Sequence, residues 1–408
     1  MVRMRRPVPP PVTVLALWVA GLCAAAQFAK VALVLPELGR VYPDAGASLG
    51  FLVSAISVVG IAFGLVAGLL TVRFGPRRLL LASLALGAAA SLAQALLPPL
   101  PLLLASRVLE GVSHLGIVVA APTLVAATSA DRWRPAAMTL WGTFFGVSFA
   151  LTAWLGLPLV EARGVGALFL AHAACAAATA ALLAAVLPPE AGPVPEPGPG
   201  AAAASPFALD ELVRRHARAW SSPFVAAPAA GWLFYTVTFV ALLAVLPGLM
   251  PPEERAIAAA AMPLASIVSS MTLGVALLRR TSAVRTLGTG FAAAAALTAT
   301  LAFVPVGPAA GIALFAALGL VQGASFASIP ELNPDVADQA LANGALAQAG
   351  NLGNACGTPL LLALLALGGT GAMIAAVAAC YVAGIAAHVA LARRRARAAG
   401  PGAEPARP

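Results

Sequence analysis

Charged side chains are scarce in this sequence. Only 10% of its 408 residues are Asp, Glu, Lys or Arg, whereas 61% are hydrophobic. A soluble domain carries about 25% charged residues, so the composition excludes a soluble globular protein and a highly charged disordered chain. It predicts a polytopic, all-α membrane protein, because apolar chains of this length cross a bilayer as helices.

Motifs of ATP hydrolysis and of membrane enzymes are also missing. The sequence has no G-x-x-x-x-G-K-[ST] loop, and its single lysine is Lys30. It has no H-E-x-x-H motif either. Cys23, Cys175, Cys356 and Cys380 lie in different apolar segments without C-x-x-C spacing. We therefore predict a protein that is not an enzyme, with no metal and no cofactor.

Basic residues are the exception to the low charge, and the formal net charge is +9. Nucleic-acid-binding proteins concentrate basic residues in a patch or stripe on one face, whereas these arginines stand in short clusters at the ends of apolar segments. We predict no nucleic-acid partner and expect the lipid bilayer as the surroundings. The abundance of Ala, Arg, Gly and Pro is typical of a GC-rich bacterial gene, which predicts the inner membrane as the location.

Long apolar runs divide the chain into membrane-crossing segments. Because about 20 mostly apolar residues span the hydrocarbon core as a helix, we predict twelve such segments. They lie at about 12–35, 47–71, 79–97, 101–127, 136–158, 165–187, 223–247, 256–278, 284–304, 308–329, 339–367 and 371–392. The first follows a basic stretch as a signal peptide would, but its apolar run continues well past the candidate cleavage site at 24–26, so we expect an uncleaved helix.

The arginines predict the orientation, because cytoplasmic loops carry an excess of Lys and Arg. With a cytoplasmic N-terminus, nineteen of the 24 Lys and Arg residues fall on the cytoplasmic side. We predict a monomer with an N-terminal six-helix bundle at 1–187, a cytoplasmic linker at 188–222 that ends in a short basic surface helix, a C-terminal six-helix bundle at 223–392, and a cytoplasmic basic tail at 393–408. Both termini are then cytoplasmic.

The two predicted bundles resemble each other in sequence. Three short matches occur in the same order: 34–38 with 245–249, Gly68 and Arg73 with Gly274 and Arg279, and 108–111 with 320–323. An ancestral duplication explains them better than coincidence. Two pseudo-symmetric six-helix halves place a substrate site between them, near the middle of the membrane.

Three ionisable residues stand inside the fourth segment. Arg107, Glu110 and His114 have helical i, i+3 and i+7 spacing, which places them on one face. Each costs on the order of 3 kcal/mol if it faces lipid, so we expect them to face the interior of the bundle. Glu110 is a candidate proton carrier, because burial favours the neutral acid whereas Arg107 favours the carboxylate. The alternative is a permanent structural pair. His114 is a candidate proton relay or substrate ligand, or a buried neutral histidine with a backbone partner.

The chain resembles the major facilitator superfamily of secondary transporters over nearly its whole length. The resemblance rests on the loop at 68–78, which matches the pattern G-x-L-x-D-R-x-G-R-[RK] except that Val72 replaces the acid, and on the Arg-x-x-acid-Gly pattern of the fourth segment. It implies transport by alternating access, with Arg107 linked to proton coupling. The drug-antiporter pattern of helix 5 is only partly matched at 142–149, which lacks its proline.

The resemblance implies a cytoplasmic gate at the 68–78 loop. Without the acid at position 72, we expect the arginines of this loop to pair with acidic residues after the tenth segment when that side closes, and Asp131 to face Arg279, Arg280 and Arg285. The predicted gate residues are Gly68, Arg73, Gly75, Arg77, Arg78, Asp131, Asp335 and Asp338.

Other polar and aromatic residues inside apolar segments are candidates for the substrate path. Lys30 has two interpretations: its ammonium reaches the outer interface, or it joins Arg107 and His114 in a positively charged cavity that favours an anionic solute. For the remaining candidates the alternative is helix packing or an interhelical hydrogen bond. They are Gln27, Trp141, Trp232, Tyr235, Thr238, Gln322, Gln348, Asn351 and Asn354.

We therefore predict a proton-coupled secondary active transporter that moves a small organic solute, such as an anionic metabolite, across the inner membrane. A multidrug or toxic-compound efflux proton antiporter is the alternative. A non-transporting membrane receptor or a membrane enzyme on the same scaffold is the alternative from a different class.

Overall fold

The computed structural model describes residues 10–45, 51–189, 209–301, 303–304 and 306–398, and within these ranges the chain is helical and has no β-strand. This confirms the predicted fold class. Residues 1–9, most of the predicted linker (190–208) and the end of the predicted tail (399–408) lie outside the description.

The described part of the first half contains nine α-helices. They are α1 (Pro10–Ala32), α2 (Leu35–Val41), α3 (Phe51–Phe74), α4 (Pro76–Ala95), α5 (Leu100–Thr128), α6 (Arg134–Gly142), α7 (Phe144–Leu151), α8 (Leu157–Arg163) and α9 (Val165–Val186). A π-helical turn, Thr152–Gly156, connects α7 to α8. Gly75 precedes α4 with φ 86°, a conformation that only glycine adopts readily, and Pro76 then begins the helix.

The second half follows a short basic helix. The helices are α10 (Leu209–Ser221), α11 (Ala226–Val245), α12 (Pro252–Ser269), α13 (Val275–Leu278), α14 (Ala283–Thr300), α15 (Pro308–Leu332) and α16 (Val336–Ala398). A π-helical turn, Ser270–Gly274, connects α12 to α13. The 63-residue α16 consists of two helices that meet at Gly369, where φ is 69°, and it continues into the predicted basic tail.

Nine helices of the described part are long and apolar enough to cross a membrane. In this count α7 and α8 form one span, α12 and α13 form another, and α16 is counted once. The predicted segments at 47–71 and 284–304 correspond to α3 and α14, which fall outside those nine. The two predicted segments at 339–367 and 371–392 both lie in α16. The chain is therefore a multi-pass membrane protein, and the number twelve stays a prediction.

Several helix ends meet on one side of the molecule, which we call the arginine-rich side. Arginines bind backbone carbonyls or carboxylates of neighbouring helix ends there, which satisfies groups that a helix terminus leaves unpaired. Arg77 donates to the Leu187 carbonyl at 3.2 Å, Arg394 donates to the Ser221 carbonyl at 2.7 Å, and Arg218 lies 2.7 Å from Asp338.

The two halves pack against each other on this side. A large buried apolar cluster there contains residues of both halves, among them Leu17 and Leu346. In contrast, the buried cluster around Val34 and Phe169, toward the opposite side, belongs to the first half alone. Polar contacts also cross between the halves: Gln348 donates to the Ile61 carbonyl at 2.6 Å, and Asn343 donates to the Thr123 hydroxyl at 3.3 Å.

Candidate functional site

The ionisable residues of α5 are buried, as their spacing predicts. Arg107 and Glu110 have no exposed surface, and His114 is 6% exposed. The Arg107 guanidinium forms an ion pair with the Glu110 carboxylate one turn away. Its Nε donates to the Leu52 carbonyl at 2.8 Å. The pair is therefore tied to α3 as well as to its own helix.

Lys30 is the second cation on Glu110. Its Nζ lies 2.6 Å from Oε1 of Glu110, and its side chain is almost completely buried. The ammonium also lies 5.2 Å from the centroid of the Phe169 ring, which adds a cation–π contact. The interpretation that Lys30 reaches the outer interface is therefore wrong. Lys30, Glu110 and Arg107, which we call the ion triad, carry a formal net charge of +1.

Uncharged side chains of α4 and α9 complete the surroundings of the ion triad. Ser91 and Gln94 accept from Lys30 at 2.5 and 2.8 Å and donate to Glu110 at 3.3 and 2.9 Å. His172 lies 2.7 Å from the Ser91 hydroxyl through Nδ1. These three residues were not among the predicted site residues. The signal that selects Lys30, an isolated polar residue in an apolar segment, applies equally to Gln94 and His172.

The ion triad lies inside the first half and does not line the space between the halves. Each charge has an opposite charge or hydrogen-bond partners, which is the condition under which buried ions are tolerated. Among the described atoms, Nη2 of Arg107 is a buried donor without a partner. The guanidinium therefore has one donor left for a further acceptor.

His114 connects this interior to a cavity between the halves. Nδ1 lies 3.0 Å from the Ala24 carbonyl, and the ring packs edge-on against Phe28 with centroids 5.0 Å apart. The same ring lines the cavity. Because Glu110 precedes it by one helical turn, His114 stands between the ion triad and the cavity.

The central cavity is formed by both halves, with walls from α5, α6, α7, α11, α15 and α16. Its volume is about 60 Å³, enough for a few waters at roughly 10–15 Å³ each. Among the described residues, no Asp, Glu, Lys or Arg lines it. Of the predicted substrate-path residues, it brings together Trp141, Trp232, Tyr235, Gln322, Asn351 and Asn354, in addition to His114.

Four aromatic rings line the second-half wall of the central cavity. Trp232 stacks on Tyr235 with centroids 4.6 Å apart, and Tyr235 stacks on Phe239 at 4.8 Å. Phe326 contacts Trp232 edge-on at 4.8 Å. Such a wall offers flat apolar surface to a ligand, and rings of this kind pack with offset or edge-on geometry.

Polar groups are placed sparsely around these rings. Gln322 donates to the Gly142 carbonyl of the other half and accepts from Ser266 at 3.1 Å. In the described structure, the indole nitrogen of Trp141 and Oδ1 of Asn354 are buried and have no hydrogen-bond partner. One donor and one acceptor of the lining residues are thus available to a ligand.

Besides Lys30, three predicted path residues lie outside the cavity wall. Gln27 donates to Ser113 at 2.9 Å inside the first half. Thr238 is buried and donates to carbonyls of its own helix. Gln348 helps to join the halves on the arginine-rich side.

The predicted gate residues have partners that the sequence did not indicate. Arg77 binds the end of α9, and the Arg73 guanidinium lies 5.6 Å from the Phe74 ring centroid. Asp131 pairs with Arg134 at 2.7 Å, one turn away. Asp338 pairs with Arg218 of α10, and Asp335 is exposed. The cross-half ion pairs of the predicted gate stay predictions.

Helices long enough to cross a membrane, grouped as two halves around a central cavity, define a polytopic membrane protein of the carrier class. The sequence profile of the Major Facilitator Superfamily matches residues 17–338. The chain therefore belongs to the major facilitator superfamily of transporters, as the motifs indicate.

Solved structures with the same fold support this assignment at low sequence identity. The E. coli fucose:proton symporter FucP, in the outward conformation, has a TM-score of 0.72 and 15% identity, covering 94% of this chain and 99% of FucP. The human organic anion transporter MFSD10 (TETRAN) has a TM-score of 0.77 and 17% identity, covering 93% of this chain and 100% of MFSD10. The proton:xylose symporter XylE has a TM-score of 0.68 and 12% identity, covering 95% of this chain and 95% of XylE. No curated protein matches this chain significantly.

Proposed function

We propose that this protein is a secondary active transporter that moves a small organic solute by alternating access and couples the movement to protons. The observation that carries the proposal is the central cavity between the halves, with His114 linking its wall to the buried ion triad. The halves contact each other on the arginine-rich side, so we expect the cavity to open toward the opposite side.

The lining indicates the class of solute. Stacked rings suit an apolar or flat part of a ligand, and the free indole donor and amide acceptor suit a few polar groups. No described lining residue carries a carboxylate, whereas the ion triad nearby is net positive, so a cationic solute is disfavoured. We propose a neutral or anionic solute, which disfavours efflux of cationic drugs; efflux of neutral toxic compounds is the alternative function.

The ion triad supplies a site for the coupling proton. Protonation of Glu110 would leave Lys30 and Arg107 as two uncompensated buried cations, which is unfavourable unless a further acceptor arrives. Because the ion triad lies behind the cavity wall, an anionic solute in the cavity would offset this positive charge across His114 and not by direct contact. Proton and solute binding then favour each other, and an anion would gain most from this linkage.

The orientation belongs to the same proposal. The arginine-rich side carries the described end of α16 and the linker helix α10, and the arginine count assigns it to the cytoplasm. We propose a monomeric protein of a bacterial inner membrane with both termini cytoplasmic. The state described here then faces outward. A cavity shared by two halves favours transport over enzyme chemistry or a receptor role.

A thermal-shift screen of the purified protein against libraries of metabolites and drugs tests the solute class. A solute bound in the cavity should raise the melting temperature of the parent, and Trp232→Ala should reduce that shift strongly. Trp154→Ala is the matched control, because Trp154 is 74% exposed on the surface. An equal shift in both variants would place the solute elsewhere.

A further inference from the structure

A second and larger cavity lies at the arginine-rich side, outside the central one. Its volume is about 670 Å³. The start of α1, the turn before α6, and the π-helical turn of the second half form its walls, which are apolar, with Pro11, Leu15, Ala137, Leu140 and Met271 among them. We call it the lateral groove.

The exposed apolar side chains of the lateral groove indicate that it faces the bilayer. Leu15 is 50% exposed and Trp133 is 51% exposed, and both line it on segments that cross or border the membrane. Large apolar side chains with this exposure on a membrane protein contact lipid tails. Tryptophan is also the residue enriched where the hydrocarbon meets the headgroups, which places the rim of the groove at that level.

Two arginines flank Trp133 at this rim. The Arg132 guanidinium carbon lies 5.8 Å from the Trp133 ring centroid, and that of Arg279 lies 5.5 Å from it. Arg132 comes from the first half and Arg279 from the second, and both are exposed. The neighbouring carboxylate, Asp131, is paired with Arg134. The rim is therefore net positive above an apolar groove.

We propose that an anionic phospholipid of the adjoining leaflet binds in the lateral groove, with its phosphate between Arg132 and Arg279 and an acyl chain along the apolar wall. Guanidinium groups form strong charge-assisted hydrogen bonds to phosphate oxygens. Basic pockets between membrane helices suit anionic headgroups. The chain's own residues 1–9 are a poorer occupant, because Arg3, Arg5 and Arg6 would add like charge to the rim.

The bound lipid has a consequence for conformation, which rests on the proposed alternating access. The groove takes walls and arginines from both halves, so its shape depends on their contact on this side. A ligand that binds one state better shifts the population toward it. The lipid should therefore favour the state in which the arginine-rich side is closed.

Native mass spectrometry of the full-length protein tests the binding independently of transport. Phosphatidylglycerol should be retained far better than phosphatidylcholine with the same acyl chains. Arg132→Gln/Arg279→Gln should weaken phosphatidylglycerol binding by about 30-fold, as expected for two arginines near an anionic headgroup. The matched control is Arg285→Gln/Arg393→Gln, two exposed arginines of the same side. Equal binding of the two lipids, or an equal loss in the control, would overturn the proposal.

A second pair of variants tests the acyl chain. Ala137→Phe fills the groove and should abolish phosphatidylglycerol retention, whereas Ala178→Phe, on an exposed face of α9, should leave it unchanged. If Ala137→Phe binds the lipid as the parent does, the groove does not hold a lipid chain. A variant lacking residues 2–8 tests the other occupant: if only this variant binds the lipid, the chain's own N-terminus occupies the groove in the full-length protein. Spin-label distances across the arginine-rich side that are the same in both lipids would reject the conformational consequence alone.

Discussion

Glu110 has an unusual position for a carboxylate in a membrane protein, because two cations on different helices converge on it. Lys30 approaches from α1 and Arg107 from its own helix. Removal of one partner from a buried ion pair costs about 3–5 kcal/mol when it leaves an uncompensated charge. In this triad the loss of the acid isolates two charges, whereas the loss of Lys30 leaves a complete pair.

This asymmetry predicts a non-additive mutant cycle. Glu110→Gln should destabilise the protein more than Lys30→Met. The destabilisation of the double variant should be smaller than the summed destabilisations of the two single variants by about 1–3 kcal/mol. The measurement is the free energy of unfolding in mixed micelles.

The exposed pair Asp131–Arg134 provides the control cycle, because surface ion pairs contribute little. Asp131→Asn/Arg134→Gln should be additive within error. If the Lys30–Glu110 cycle were equally additive, the three charges would not act as one unit.

The two ion pairs of Glu110 differ in how far the sequence predicts them. The contact between Arg107 and Glu110 follows from helical spacing alone, and the structure confirms it. The contact of Lys30 with Glu110 depends on the register of α1 against α5, which no local pattern encodes. One of the two interpretations of Lys30 placed it with Arg107 in the solute cavity. Both residues lie behind the cavity wall, a placement that was not known from the sequence because it depends on the packing of α1 against α5.

At the scale of elements, the approach of α3 to α16 holds the halves together. A Cβ atom on Gly64 would lie 2.7 Å from the Gly344 carbonyl oxygen, so the two backbones are nearly in contact. Small residues permit such approach in membrane helices, and the amide of Gln348 adds a hydrogen bond beside it.

Gly64→Val should therefore separate α3 from α16. Overpacking of a close contact costs about 1–3 kcal/mol, which shifts the ratio of the two states by about fivefold or more toward the one open on the arginine-rich side. Spin labels at the exposed positions Ala184 and Arg285, in a background without the native cysteines, should report longer distances.

Gly288→Val is the matched control, because no atom lies within 4 Å of a Cβ at Gly288. It should leave the distance distribution unchanged. Indistinguishable distributions for Gly64→Val and the parent would show that this approach does not hold the arginine-rich side closed.

Elements were predictable where composition determines them. The apolar runs predict helices, and the long helices of the structure lie at these runs. The π-helical turns at Thr152–Gly156 and Ser270–Gly274 were not predictable. Their sequences contain no proline, and backbone distortions of this kind depend on packing between helices.

At the scale of the whole molecule, the arginine distribution predicts the topology. Reporter fusions at the N-terminus, within 190–208 and at the C-terminus should all report the cytoplasm, and fusions near Arg40 or Arg163 should report the opposite side. A terminus found outside would mean that the arginine-rich side is not cytoplasmic. The described state would then face inward.

Solute flux in proteoliposomes tests the proposed coupling between the ion triad and the central cavity. With a solute identified by thermal shift, the parent should accumulate that solute above equilibrium only under a pH gradient. Glu110→Gln should still bind and exchange the solute but should not accumulate it, while Glu161→Gln, a surface control, should behave like the parent. Accumulation by Glu110→Gln equal to that of the parent would contradict the account, because the carboxylate would then be structural.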